Sequence, residues 1–216
     1  MLGVAENRTP DQQDGEFLLP IEAHGLKTMS MGYLTSAETP MVWRGPMASS
    51  ALSQLLEKTL WGDIDVLLVD MPPGTGDIQL TLSQRATLSG AVIVTTPQDI
   101  ALLDARKGIE MFQKVDVPVL GLIENMSSHI CPACGHSEPL FGEAGGENLA
   151  AQYAVPLLAQ IPLSRAIREQ SDQGCPIVVS EPAGQEAHHY QQAASALMSS
   201  LAQQQPTSAP VISMSD

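Results

Sequence analysis

The chain has 216 residues, 44% hydrophobic and 16% charged, with a formal net charge of −14. That length suffices for one α/β domain with a sizeable core. The charge excludes nucleic acid and anionic membrane surfaces as main partners, because both demand a basic footprint, and no stretch approaches the roughly 18 apolar residues that cross a bilayer.

Residues 6–15 are polar, contain Pro and Gly, and read as a loop. Residues 17–21 and 26–34 are short and strand-like, with a turn at His24-Gly25. The junction Met41-Val42-Trp43-Arg44-Gly45-Pro46 leads into a helix that Ser49 or Ser50 could cap, with Leu52, Leu55, Leu56 and Leu60 as its apolar stripe. Val66-Leu67-Leu68-Val69 contains no polar residue, so it predicts a strand of a parallel sheet buried on both faces. Asp70 sits at its tip, followed by two prolines and two glycines. Residues 78–89 predict a helix ended by Gly90. AVIVT, 91–95, is a second buried strand, with Asp99 as N-cap of a helix over 100–115. Residues 117–123 form a third strand that ends in Glu124-Asn125-Met126. A loop over 127–142 carries two cysteines. Then come a helix over 144–153, a strand over 156–161, a short polar helix over 165–172 and an extended piece over 177–179. The last helix, 185–203, would bury Ala187, Tyr190, Ala194, Leu197 and Leu201. From residue 204 the composition predicts a disordered tail. Strand alternates with helix from residue 49 onward, the pattern of a doubly wound, mostly parallel α/β sheet.

In such sheets ligands bind at the carboxyl ends of the strands. Asp70, with the Gly-rich loop and Asp77 behind it, suits a phosphate-bound Mg²⁺ rather than an ordinary turn. The partner element would be a phosphate loop with a lysine. None of the four lysines, Lys27, Lys58, Lys107 and Lys114, stands in a G-x-x-x-x-G-K-S/T context. Asn125 offers a donor and an acceptor that match an adenine edge, although spacing alone favours a turn-forming asparagine. Arg44 could reach a phosphate or serve the surface. Asp104 and Lys107, three apart, read as a solvated pair, and Cys175 as a small buried hydrophobe.

Cys131-Pro132-Ala133-Cys134 can grip one metal from two sides, whereas a closed zinc site or a cluster needs about four ligands. Four readings stand: another copy of the chain donates the second pair, His129 and His136 complete a zinc site, the pair is redox-active, or it is structural. Gly135 and Pro139 favour a loop over the helix start usual for a redox pair. Three cysteines make no disulfide framework and point to a reducing cytoplasm. The opening MLGVAENRTP lacks the basic and apolar regions of a signal peptide.

The segments VWRGPMAS, VDMPPGTGDIQLTLSQ, VTTPQDIALLDARKGIEMF, VLGLIENMS, HICPACGH and IPLSRAIRE occur in that order over about residues 1 to 200. Together they resemble the Mrp family, the ApbC-like iron–sulfur cluster carriers, which are P-loop ATPases with a deviant Walker A motif. The resemblance implies the P-loop NTPase fold, with Asp70, Gly74 and Gly76 in a switch near the γ-phosphate and Mg²⁺, and Asn125 at adenine. It implies that Cys131 and Cys134 ligate a 4Fe–4S cluster bridged across a homodimer and passed to apoproteins. The family's phosphate loop and the switch after it find no match here. The chain therefore resembles the C-terminal portion of a member, with a sheet incomplete at its N-terminus, and is expected not to hydrolyse ATP alone. It also departs at Ser164, where many relatives carry Asp. Residues 1–203 are read as that portion and 204–216 as the tail. The alternative is a non-catalytic zinc-binding or regulatory remnant that pairs with a full-length relative.

Overall fold

Two left-handed residues set the tight hairpin near the N-terminus. His24 has φ 49° and Gly25 φ 77°, as a two-residue turn matched to strand twist requires. They join β3 (Ile21–Ala23) to β4 (Leu26–Thr28) in antiparallel register, after a smaller pair, β1 (Gln12–Gln13) and β2 (Phe17–Leu18). A computed structural model describes residues 1–34, 45–72 and 76–204. They fall into two units, one built on Leu2–Thr87 and the other on the described residues of Leu88–Ala209.

In the first unit, Thr28 Oγ1 donates to the Ile21 carbonyl at 2.7 Å, and a 3-10 turn over Met31–Tyr33 follows. Helix α1 spans Gly45–Glu57. It starts earlier than Ser49 or Ser50 would allow as caps, because Pro46 in the first turn forfeits only an N–H that has no helical partner anyway. Both serines lie inside the helix, and the buried Ser49 hydroxyl has no partner among the described residues. Past α1, Leu18 and Thr59 form a single parallel bridge. Helix α2, Asp77–Arg85, ends at Ala86, short of Gly90, and packs on α1.

The strand expected over Val66–Val69 is not formed: these residues enter no ladder among the described residues. Val66 is 47%, Leu67 41% and Leu68 80% exposed. An apolar run states that burial would be favourable, but it becomes a strand only where a neighbour offers N–H and C=O groups in register. The junction residues Met41–Arg44, like Gly74 and the tail beyond residue 204, lie outside the described residues.

The second unit is built on a parallel sheet. Strand β5 (Ala91–Thr95) leads through α3 (Asp99–Lys114) to β6 (Val119–Asn125). A small antiparallel hairpin follows, β7 (His129–Ile130) and β8 (Ser137–Glu138), and then α4 (Gly145–Tyr153) and β9 (Leu157–Ile161). The sheet order is β5-β6-β9, all parallel. Ile93, Ala105, Ile109, Leu122 and Leu149, from β5, α3, β6 and α4, form the core, and Ile109 and Leu122 are wholly inaccessible. Gly90 precedes β5 because the chain passes Leu120 closely there. A Cβ on it would lie 2.5 Å from Leu120 Cγ.

Helix α5 (Arg165–Asp172) and a one-turn helix, α6 (Ile177–Ser180), lead to α7 (Gln185–Gln203), which runs against β9 and β6. The extended piece expected over 177–179 is thus helical: the Pro176 carbonyl accepts from Val179 N–H at 2.7 Å and Ser180 N–H at 3.0 Å. Asp99 is the first residue of α3 and Gln98 its cap, without a side-chain bond. On α7 the buried alanines are Ala187 and Ala193, and Ala194 faces solvent. Among the described residues no helix is long and apolar enough to cross a membrane.

Candidate functional site: a strand tip and a cysteine hairpin

The chain leaves the sheet at the carboxyl end of β6. Asn125 is the last strand residue, and its Oδ1 accepts from Met126 N–H at 3.0 Å while Met126 turns into the left-handed region at φ 55°. The asparagine therefore shapes the turn, and its amide nitrogen remains to donate. One residue earlier, Glu124 is 1% exposed. Its Oε2 accepts from Gly146 N–H at 2.5 Å and its Oε1 from Gln160 Nε2 at 2.9 Å. Sequence reasoning passed over Glu124. The available signal was a carboxylate within an otherwise apolar strand, a place where burial demands partners.

After this turn the backbone is tied to the end of β9. Ser127 N–H donates to the Ile161 carbonyl at 3.0 Å, and Leu163 N–H to the Ser128 carbonyl at 2.8 Å. The loop over 127–142 then rises as the β7–β8 hairpin, with His129 opposite Glu138 and Ile130 opposite Ser137. Cys131-Pro132-Ala133-Cys134 occupies its tip. Cys131 N–H donates to the His136 carbonyl at 2.8 Å, and Gly135 N–H to the Cys131 carbonyl at 2.9 Å. Gly135 takes φ 72°, where a side chain would be strained. A hairpin tip, not a helix start, carries the pair, so the geometry departs from that of a redox pair as the glycine and proline predict.

Both thiols are free, Cys134 exposed and Cys131 partly covered. The backbone N–H groups of Ala133 and then Cys134 point at the Cys131 sulfur and, with the Cys134 side chain, hold its thiol below the ordinary value. Donors aimed at a sulfur favour the anion, the form that binds metal. The reading in which His129 and His136 complete a zinc site finds no such set assembled among the described residues, and His129 Nδ1 lies 3.4 Å from the Leu163 carbonyl. Among the described residues no group of three or more His, Cys, Asp or Glu side chains is gathered for a metal.

Asp70 and Gly76 belong to the unit of residues 2–87. Asp70 is exposed in a segment without regular structure, and Gly76 caps α2 at its N-terminus without a side-chain bond. Gln79 Nε2 donates to the Pro72 carbonyl at 3.0 Å, tying α2 back toward that segment. Asp104 and Lys107 make their expected exposed pair at 3.2 Å. Cys175 is partly covered. Ser164 precedes α5, and its hydroxyl pairs with Glu186 at 3.2 Å.

A parallel α/β sheet with polar residues at a strand tip and a cysteine pair on the adjoining loop defines the class, a P-loop NTPase fold with an appended cysteine hairpin. The chain belongs to the Mrp/ApbC-like NUBPL iron-transfer P-loop NTPase family, whose profile matches residues 1–198. It is 59% identical over 194 residues to the iron-sulfur cluster carrier protein of Pseudomonas fragi, covering 90% of this chain and 68% of that one. To the carrier of Escherichia coli K12 it is 58% identical, again over 90% of this chain but 52% of the relative. The chain thus spans between half and about two thirds of these relatives. Among solved structures it is similar to an Archaeoglobus fulgidus nucleotide-binding protein in complex with ADP, with TM-score 0.67 and 34% identity, over 83% of this chain and 68% of that one.

Proposed function

We propose that this chain is the cargo-holding part of an iron–sulfur cluster carrier, with Cys131 and Cys134 as two of four thiolate ligands of a 4Fe–4S cluster and a second copy supplying the other two. One observation carries the reading: two thiols at one hairpin tip, one favoured as the anion, and no third ligand gathered with them among the described residues. Two thiolates leave a cluster half-ligated, so a homodimer joined through the hairpins satisfies the count. The relatives named as carriers support the same reading. An exposed tip also suits cargo that must leave, because an apoprotein thiolate can reach it.

The nucleotide would set the timing. Asp70, Gly74 and Gly76 form the switch toward the γ-phosphate and Mg²⁺, and the Asn125 amide nitrogen reads adenine. A Lys-bearing phosphate loop supplies most of the positioning and charge stabilisation in phosphoryl transfer, and the four lysines here stand in no such context. ATP hydrolysis therefore belongs to a complete assembly, acting in the cytoplasm. Incubating reconstituted chain with an apo-enzyme that depends on a 4Fe–4S cluster tests the function. Activity of the apo-enzyme returns in step with loss of cluster from the chain; failure of transfer from a fully loaded chain contradicts it.

A further inference from the structure

We propose that Glu124 is the positioning residue that staples the base of the cysteine loop, so that the hairpin is presented on a fixed footing at the β6 tip. The inference deepens the carrier reading and rests on it for its functional consequence, though not for its structural one.

Glu124 is the last residue but one before the chain leaves β6, and Gly146 lies in the first turn of the helix by which the chain returns. The 2.5 Å bond from Gly146 N–H to Glu124 Oε2 thus closes the whole excursion that carries Cys131 and Cys134, joining residues 22 apart. The second oxygen reaches the other side: Gln160 Nε2 donates to Oε1 at 2.9 Å, and Gln160 stands on β9 just before Ile161, whose carbonyl takes Ser127 N–H. One carboxylate therefore ties the exit of the loop, its return and the strand beneath it.

The glycine is fitted to this contact. A Cβ on Gly146 would lie 2.8 Å from Glu124 Oε2 and 2.9 Å from its Cβ. Its φ is ordinary, so space and not backbone freedom demands glycine there. Gly146 N–H is a helix-start donor with no partner in its own helix, and both residues are buried. Removing the acceptor leaves that donor unpaired away from water, which costs more than an average hydrogen bond contributes. Asn125 sits next in sequence, so the same staple fixes the residue assigned to adenine and the loop assigned to the cluster.

The acceptors matter here and not the charge, which separates two substitutions. In Glu124→Gln the amide oxygen can accept from Gly146, and the amide nitrogen can donate to Gln160 once that side chain presents its oxygen. Glu124→Ala keeps neither bond. Hydrogen exchange of the full chain reads the staple without any cluster. Exchange at the amides of 127–146 is expected to rise about tenfold in Glu124→Ala and in Gly146→Ala, with α7 and β5 unchanged, and to return near wild type in Glu124→Gln. In the reconstituted chain the first two variants should lose cluster to a chelator about tenfold faster. A uniform rise across the chain, a Glu124→Gln variant as loose as Glu124→Ala, or unchanged exchange at 127–146 would each overturn the proposal. If exchange behaves as expected while the wild-type chain takes up no cluster, the staple stands and the carrier reading fails.

Discussion

Cys131 donates its amide to the His136 carbonyl at 2.8 Å, so the residue that opens the C-x-x-C stretch is bonded to the residue two positions past its end. That bond closes the tip and turns the amides of Ala133 and Cys134 toward one sulfur. The hairpin makes the two thiols unequal: Cys131 is partly covered and favoured as thiolate, and Cys134 is exposed.

That inequality has a pH signature. A thiol whose value is lowered by donors stays ionised as the pH falls past the point where an ordinary thiol protonates. Alkylation of the metal-free chain by iodoacetamide, followed residue by residue by mass spectrometry, should show the Cys131 profile displaced to lower pH than that of a free cysteine in a peptide. Denaturation should abolish the displacement, since the donors are then dispersed. Coincident profiles in the folded and unfolded chain would contradict the geometry.

The exposed run Val66-Leu67-Leu68 predicts behaviour in solution. Leu68 is 80% exposed, so replacing it removes no core contact, while a charge interrupts an adhesive apolar segment. Leu68→Lys should delay aggregation of the purified chain on warming. Its effect on the unfolding midpoint in dilute solution should stay within about 0.5 kcal/mol, as for surface changes generally. A strongly destabilised Leu68→Lys would place the side chain in a packed environment.

Inside the second unit the opposite holds. Ile109 and Leu122 belong to one core cluster and have no exposure. Ile109→Ala or Leu122→Ala should each destabilise by about 2–5 kcal/mol through lost transfer energy and a residual cavity. Because both sit in one core cluster, the double substitution should cost less than the sum. Chemical denaturation followed by far-UV circular dichroism measures both quantities, and strict additivity would argue against direct packing.

If the lysine contexts decide the chemistry, the purified 216-residue chain should not turn over ATP at a measurable Asp70-dependent rate, because none of its four lysines stands in a G-x-x-x-x-G-K-S/T context. Phosphate release compared between wild type and Asp70→Ala checks this. Robust turnover lost in Asp70→Ala would contradict it.

The parts of the fold legible in the sequence were those where local pattern and tertiary setting agree. AVIVT and VPVLGLI are apolar runs bounded by turn residues and flanked by long helical patterns, and both became strands of the parallel sheet, the second running two residues later, over Val119–Asn125. Val66–Val69 has the same composition without a ladder, because the pattern carries no information about the neighbour a strand needs. Residues 177–179 were too short for periodicity to decide, and Pro176, with a carbonyl that starts a turn, tipped them into a helix. At the site, the loop character of the cysteine stretch was readable from Gly135. Glu124 was not, since only the fold brings Gly146 and Gln160 to it. The histidines flanking the cysteines looked like ligands by proximity, but the alternation of the hairpin and the Leu163 carbonyl draw His129 elsewhere.

In the proposed function, Cys131 and Cys134 hold an iron–sulfur cluster shared between copies of the chain. Anaerobic reconstitution, followed by iron, sulfide and zinc analysis and by mass measurement in solution, tests it most directly. The expected product is a brown dimer whose iron and sulfide reach about four of each per pair of chains, as one 4Fe–4S cluster requires, with a colourless product from the Cys131→Ala/Cys134→Ala variant. Equal iron and sulfide in that variant, or a colourless wild-type chain holding one zinc, would contradict it.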